Sequence, residues 1–232
     1  MLKIDKLTSG YGSARILNGA NLSLGTKEVV AILGRNGVGK TTLLKTIMNI
    51  VKPSSGAVHL GEQDITKLAT HDIAKSGIGY VPQGRGIFGK LTVEENLRMG
   101  LRSRPDGSNE IPSFIYEKFP ILKERQSQLA GTMSGGQKQQ LAISRALCGD
   151  PKLLLLDEPS EGIQPNIVQE IGHFIRDLIH DREISVLIVE QNLELVGIAA
   201  DRFEIMMKGE LVHRGPKSAL NDEDMLRKYL SV

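Results

Sequence analysis

The apolar positions of this chain fall into three kinds of run: alternating, continuous, and spaced for one face of a helix. Residues 2–7 alternate, and residues from about 15 to 24 read as a second strand, with Thr8-Ser9-Gly10-Tyr11-Gly12 as the turn between them. Val29–Leu33, Leu153–Leu156 and Ser185–Val189 are continuous and apolar, which predicts parallel strands covered on both faces. Ala57–Leu60 and Ile78–Val81 predict short strands, the latter ending at Pro82-Gln83. Asp201–Gly215 predicts a hairpin turning at Lys208-Gly209-Glu210.

Helical spacing begins at Leu43 and is expected to end at Lys52-Pro53-Ser54-Ser55-Gly56. A short helix is expected before residue 74, with Thr70 as its N-cap. Thr92 with Glu95, and Ser134 with Gln137, are capping boxes. They predict helices running to about Leu101 and to Cys148. Between them lie a surface loop over residues 102–112 and a helix over 113–125 interrupted by Pro120. Pro165 opens a helix whose Ile167, Ile171, Phe174, Ile175 and Leu178 form a core stripe. Residues 216–232 read as a short helical tail. No strand pattern occurs from about 91 to 150, so an α/β chain with a mainly helical insert is expected. There is no repeat or linker to suggest a second independent domain.

The first candidate site lies between the Val29–Leu33 strand and the helix after it. Gly34-Arg35-Asn36-Gly37-Val38-Gly39-Lys40-Thr41-Thr42 is a glycine-rich turn between strand and helix, the context of a phosphate-binding P-loop. Its amides and the helix N-terminus make an anion site. Lys40 is placed to reach β- and γ-phosphates, and the Thr41 hydroxyl to hold Mg²⁺. Asp157 and Glu158 end a buried strand, where open α/β sheets bind ligands. Asp157 suits a Mg²⁺ shell, directly or through water, and Glu158 suits a base or an orienting group for an attacking water. Gln191 is expected at the same sheet edge. Ser134-Gly135-Gly136-Gln137 places two glycines in a first helical turn, at about 1 kcal/mol each relative to Ala. This is either a second anion site or a capped helix that tolerates them. Tyr11 fits either a base-stacking aromatic or a half-buried loop residue.

Composition narrows the partners. A formal charge of +2, no Trp and 4% aromatics supply few stacking platforms, so nucleic acid is not expected. The single cysteine, Cys148, excludes an intramolecular disulfide and fits a buried hydrophobe in a reducing compartment. The N-terminus lacks the apolar core of a signal peptide, and no run is long enough to span a bilayer. Service to a membrane process would come from the cytoplasmic face, through a separate partner.

Together these motifs resemble the nucleotide-binding subunit of ABC transporters over essentially the whole chain. Gly34–Thr41 resembles Walker A. Leu153–Asp157 with Glu158 resembles Walker B and the catalytic glutamate. Met133-Ser134-Gly135-Gly136-Gln137 resembles the signature, with Met133 where Leu is usual. Tyr11 matches the family's base-stacking aromatic, and Gln83 its Q-loop glutamine, a Mg²⁺ contact. Gln191 stands where His is usual, and an amide cannot titrate near neutral pH. Gln164 stands where the D-loop usually ends in Asp.

The resemblance implies a P-loop NTPase fold with a RecA-like core (about 1–83 and 151–232), an antiparallel β subdomain and a helical subdomain (about 84–150). It implies ATP and Mg²⁺ as cofactors. The implied partners are a second ATP-binding subunit, multi-spanning permease subunits and, indirectly, a periplasmic or lipoprotein binding protein. Tyr80–Arg85, Leu91–Leu97, Glu158–Pro165 and Val189–Gln191 look like ATPases of branched-chain amino acid and urea or short-chain amide importers, and Glu161–Pro165 leans toward the urea branch. An exporter or lipoprotein-release ATPase shares the catalytic motifs. A non-transport ABC ATPase or a small-metabolite kinase fits less of the chain.

Overall fold

The computed structural model describes residues 1–230. Three strands come first: β1 (Leu2–Tyr11), β2 (Ala14–Leu24) and β3 (Val29–Leu33). The helix α1 (Lys40–Ile47) precedes β4 (Pro53–Leu60), β5 (Gln63–Asp64), α2 (Thr70–Lys75) and β6 (Ile78–Val81). Four helices follow without a strand: α3 (Val93–Gly100), α4 (Ser113–Lys118), α5 (Pro120–Glu124) and α6 (Gly135–Leu147). The chain then alternates through β7 (Leu153–Asp157), α7 (Pro165–Arg182), β8 (Ser185–Glu190) and α8 (Leu193–Ala199). It closes with the hairpin β9 (Arg202–Met207) and β10 (Glu210–Pro216), and α9 (Glu223–Leu230). The last two residues of the expected helical tail lie outside the described residues.

The strands form an antiparallel sheet, β2-β1-β4-β5, and a six-stranded sheet, β10-β9-β3-β8-β7-β6, parallel except for its β10 edge. The two sheets meet where Asn18 of β2 donates from its amide N to Gly209 O at 3.0 Å, and from Nδ2 to Lys208 O at 2.7 Å. Continuous apolar strands follow from this arrangement, because alternate side chains enter two different cores. Leu154 and Leu156, with Val186 and Ile188, join the core shared with helices α3 to α8. Leu153 and Leu155, with Leu187 and Val189, join the core under α1, β1 and β2. Each such leucine contributes about 1.5–3 kcal/mol by burial.

The two expected capping boxes are present. Thr92 Oγ1 accepts from Glu95 N at 3.2 Å, and Ser134 Oγ from Gln137 N at 3.3 Å. Each is worth about 1 kcal/mol to its helix. Cys148 is buried, and burial pushes its thiol up to about 12, so it is a packing residue rather than a nucleophile.

Several boundaries differ from the sequence expectation. β1 runs through the supposed turn to Tyr11, because bulges at its middle, with Lys6 at φ 45°, let Ser9 and Gly10 pair with Leu17 and Arg15. α1 stops at Ile47, and Asn49, at φ 53°, turns the chain before Lys52. Pro53 to Gly56 then belong to β4 rather than ending the helix. Pro53 is tolerated as a first strand residue, and a β-carbon on Gly56 would lie 2.4 Å from Lys6 O. Ala69, not Thr70, is the N-cap of α2, which has no side-chain cap. α6 ends at Leu147 with Cys148 as its C-cap. The sequence expectation contained no counterpart of α8.

The sheet also sets the order of the loops. Leu33 pairs with Glu190, Val189 with Asp157, and Leu156 with Val81. The C-terminal ends of β3, β8, β7 and β6 therefore stand in one row. The loops leaving that row carry Gly34–Gly39, Gln191, Glu158 and Gln83.

Candidate functional site

The turn after β3 is held open by its own lysine. Gly37 at φ 79° and Gly39 at φ 114° occupy backbone that a side chain would strain. Gly39 is the N-cap of α1 and offers no side chain to the first amides, which suits an anion. Lys40, 4% exposed, folds back along the loop. Its Nζ donates to Gly34 O at 2.8 Å and Arg35 O at 3.1 Å, and it pairs with Glu158 Oε1 at 3.2 Å. Thr41 Oγ1 donates to Asp157 Oδ1 at 2.9 Å. The Thr42 carbonyl accepts from Thr46 Oγ1 at 2.7 Å.

Not every residue of the turn faces the same way. Arg35 directs Nε to Leu230 O at 3.3 Å, toward α9, and the Val38 carbonyl accepts from Gly209 N at 2.8 Å. Asn36, Gly37, Gly39, Lys40, Thr41 and Thr42 instead line a cavity of about 310 Å³. Half-exposed Tyr11, with Gln83 and Glu158, completes the lining.

The carboxylates occupy unlike surroundings. Asp157 is 2% exposed, and burial raises its pKa; hydrogen bonds from Thr41 and from Tyr80 OH (3.2 Å to Oδ2) pull it back down. The Tyr80 hydroxyl itself lies well above its ordinary range, chiefly through burial and then through the charge of Asp157. Glu158 leaves the strand at φ 47°, which turns its side chain back over the P-loop. Besides Lys40 it accepts from Gln83 Nε2 at 3.2 Å and Gln191 Nε2 at 3.1 Å. The same Gln191 nitrogen donates to Asn36 Oδ1 at 2.6 Å. Lys40, Gln83 and Gln191 thus meet on one carboxylate.

Two contributors were not singled out from the sequence. Tyr80 anchors Asp157 from the neighbouring strand. Glu190, 2% exposed, accepts from Ser160 N (2.9 Å) and Ser160 Oγ (2.5 Å) through one oxygen. Through the other it accepts from Gln191 N (2.7 Å) and Asn192 N (2.9 Å). It ties the loop after Glu158 to the loop bearing Gln191. The available signal was its position, since an acid ending a buried apolar strand needs several donors.

The Ser134 turn lies elsewhere. Both of its polar side chains serve the helix cap, Gln137 Oε1 accepting from Ser134 N at 3.1 Å. A β-carbon on Gly135 would stand 3.2 Å from Gly162 O, and one on Gly136 3.0 Å from Ile167 Cγ2. The glycines therefore let α6 close on the loop before α7. That loop and the turn enclose a cleft of about 520 Å³, lined by Ser134–Gln137, Gln140, Gly162, Ile163 and Gln164 among others. It shares no lining residue with the first cavity.

A glycine-rich strand-to-helix turn with its lysine, beside a hydroxyl–carboxylate pair at the carboxyl edge of a parallel sheet, defines a P-loop nucleotide-binding protein. Residues 17–161 match the profile of the ABC transporter family, and the chain belongs to that family. BraG, the high-affinity branched-chain amino acid transport ATP-binding protein of Pseudomonas aeruginosa, is 40% identical over 222 residues, covering 95% of this chain and 94% of its own. LptB, the lipopolysaccharide export system ATP-binding protein of Haemophilus influenzae, is 35% identical over 235 residues, covering 99% and 97%. Among solved structures, the ADP conformation of MJ1267, an ATP-binding cassette of an ABC transporter, superposes with a TM-score of 0.83 at 26% identity. It covers the whole of this chain and 97% of that one. The chain is an ABC-family ATPase.

Proposed function

We propose that this chain is the ATP-hydrolysing subunit of an ABC importer for a small polar solute, a branched-chain amino acid or a urea-like amide. One observation carries the mechanism. Two phosphate-suited turns, Gly34–Thr42 and Ser134–Gln137, open into separate clefts of one chain. Each supplies only part of a nucleotide's surroundings. Two nucleotide-binding domains docked head to tail would complete both, with ATP between the Lys40 loop of one and the Ser134 helix of the other.

Within that arrangement each side chain has a task. The amides of Gly37–Thr42 and the Lys40 ammonium hold the phosphates, and Tyr11 packs on the base. Thr41 Oγ1 and Asp157 Oδ1, hard oxygens 2.9 Å apart at the phosphate-binding turn, fit Mg²⁺, with Gln83 within reach. The ion supplies neutralisation of phosphate charge when bound. Glu158 orients and deprotonates the attacking water, and Gln191 fixes Glu158 by hydrogen bonding where a histidine is usual. ATP binds the closed pair better than the open one, so hydrolysis reopens it, and this differential drives the permease.

The membrane partner has a candidate seat on the cytoplasmic side. A groove of about 300 Å³ is lined by Met48, Ala74, Tyr80, Phe88 and Met99, with Phe88 and Met99 46% and 41% exposed. Among the described residues no helix is long and apolar enough to cross a membrane.

The likeness to BraG favours import, and Glu161–Pro165 favours the urea branch within it. The likeness to LptB supports export as the second reading. Tagged chain purified from its native membranes tests both. Import requires recovery of multi-spanning permeases and dependence of ATPase activity on an extracytoplasmic solute-binding protein. Recovery of a lipid-export assembly instead would overturn import.

Tyr11 gives a smaller test. Tyr11→Ala is expected to weaken ATP binding by about 1 kcal/mol or less, roughly fivefold at most, measured by titration calorimetry. An unchanged affinity would make Tyr11 a loop residue only.

A further inference from the structure

The loop after Gln83 has an unusual backbone. Gly84, Arg85 and Gly86 all lie at positive φ, 74°, 72° and 56°. Glycine adopts this region freely, whereas a side chain there is strained. Flanked by two glycines, position 85 would be a third glycine on backbone grounds alone. A strained arginine persists only where its surroundings over-determine it.

The surroundings do so from two sides. Arg145 of α6 grips the backbone, donating from Nη1 to Gly86 O at 2.9 Å and from Nη2 to Arg85 O at 3.3 Å. The Arg85 side chain leaves in the other direction, and its Nη2 donates to Glu161 O at 2.9 Å. The same nitrogen abuts the Ser134 turn, where a β-carbon on Gly135 would lie 3.6 Å away. Arg85 Nε is buried and has no hydrogen-bond partner. One guanidinium nitrogen is therefore buried without a partner while another holds a single carbonyl, an arrangement that local folding alone does not require.

We infer that Arg85 is a positioning residue that ties the Gln83 loop to the Glu161 loop and the Gly135 turn. Through it, nucleotide held at the Lys40 cavity sets the shape of the Ser134 cleft presented to the opposing domain. This rests on the two-domain reading above and adds a connection within each domain. Gln83 contacts Glu158 at one end of the loop, and Arg85, two residues on, holds Glu161 O beside Gly162 and the Gly135 turn, which border the second cleft. A planar fork on a short strained loop fixes direction, which the single ammonium of a lysine on its flexible stem would keep only in part.

Arg85→Gly removes the guanidinium at a backbone position that glycine adopts without strain, so the loop has no steric reason to change its φ. The variant is made in the Glu158→Gln background and in the otherwise native chain. In the first, the expected result is ATP affinity of the dilute monomer within about twofold of its parent, with ATP-driven self-association weakened at least about tenfold by light scattering. In the second, the Hill coefficient of ATP hydrolysis falls toward one. Arg85→Lys is expected to recover part of the loss.

Self-association equal to the parent's would overturn the inference. So would a loss of monomer ATP affinity in the same proportion, since that would place Arg85 in support of the Lys40 cavity alone. Failure of the Glu158→Gln parent to associate in ATP would instead defeat the two-domain reading, and the role of Arg85 with it.

Discussion

Glu158→Gln is expected to lower ATP turnover by at least about a hundredfold while leaving ATP binding nearly intact. Positioned general-base catalysis is worth about 10²–10⁴-fold, and an amide cannot accept the water's proton. The geometry predisposes the site to this outcome. Gln83, Gln191 and Lys40 converge on the Glu158 carboxylate within 3.1–3.2 Å, which fixes its direction. A glutamine can keep its carbonyl oxygen toward Lys40 and Gln191. Its amide nitrogen then faces Gln83, whose own amide can turn to accept, so the loop keeps its shape and only the chemistry is lost. With hydrolysis blocked and binding preserved, the ATP-bound dimer should accumulate. Phosphate release measures the first effect and light scattering in ATP the second. Turnover at the native rate would remove Glu158 from the catalytic role.

Lys40→Ala is expected to act earlier, on binding and on stability together. Its ammonium makes charge-assisted hydrogen bonds to two carbonyls and pairs with Glu158 while only 4% exposed. Losing its contacts to phosphate should weaken ATP binding by at least about a hundredfold, or 2.7 kcal/mol. The same truncation leaves Gly34 O, Arg35 O and part of a largely buried carboxylate without donors. That costs about 1–3 kcal/mol and lowers the melting midpoint by several degrees in a chain of this size. Calorimetric titration with ATP and a thermal melt check the two halves. Affinity within tenfold of native would mean that Lys40 holds the loop and not the phosphate.

The central strands and the P-loop were legible because each rests on local signals. Leu153–Leu156 had to be covered on both faces, and Gly34–Thr42 sits between a strand and a helix. Ser134 with Gln137 announces a helix start from two residues three apart. What stayed hidden depends on pairing across the chain. Thr8-Ser9-Gly10 has turn composition, yet bulges in the β1–β2 ladder absorb it into a strand. Asn192 caps α8, accepting from Leu195 N at 3.1 Å, a helix start that the sequence expectation did not contain. Tyr80 and Arg85 find partners 77 and 76 residues away, a relation that no local pattern encodes. Their place in the site follows from which strands become neighbours.

The alternation of β7 and β8 between two cores also works as a reading frame. Asp157 shares parity with Leu153 and Leu155, the face toward α1, and so meets Thr41. Glu190 shares parity with Val186 and Ile188, the opposite face, and so meets Ser160 and Asn192. Deleting one leucine of β7 would barely change composition or hydropathy and would keep every motif letter after it. It would also turn Asp157 away from Thr41 and exchange the side chains of two cores at once. The apolar letters of these strands are therefore counted as well as chosen, and their number aims the carboxylates.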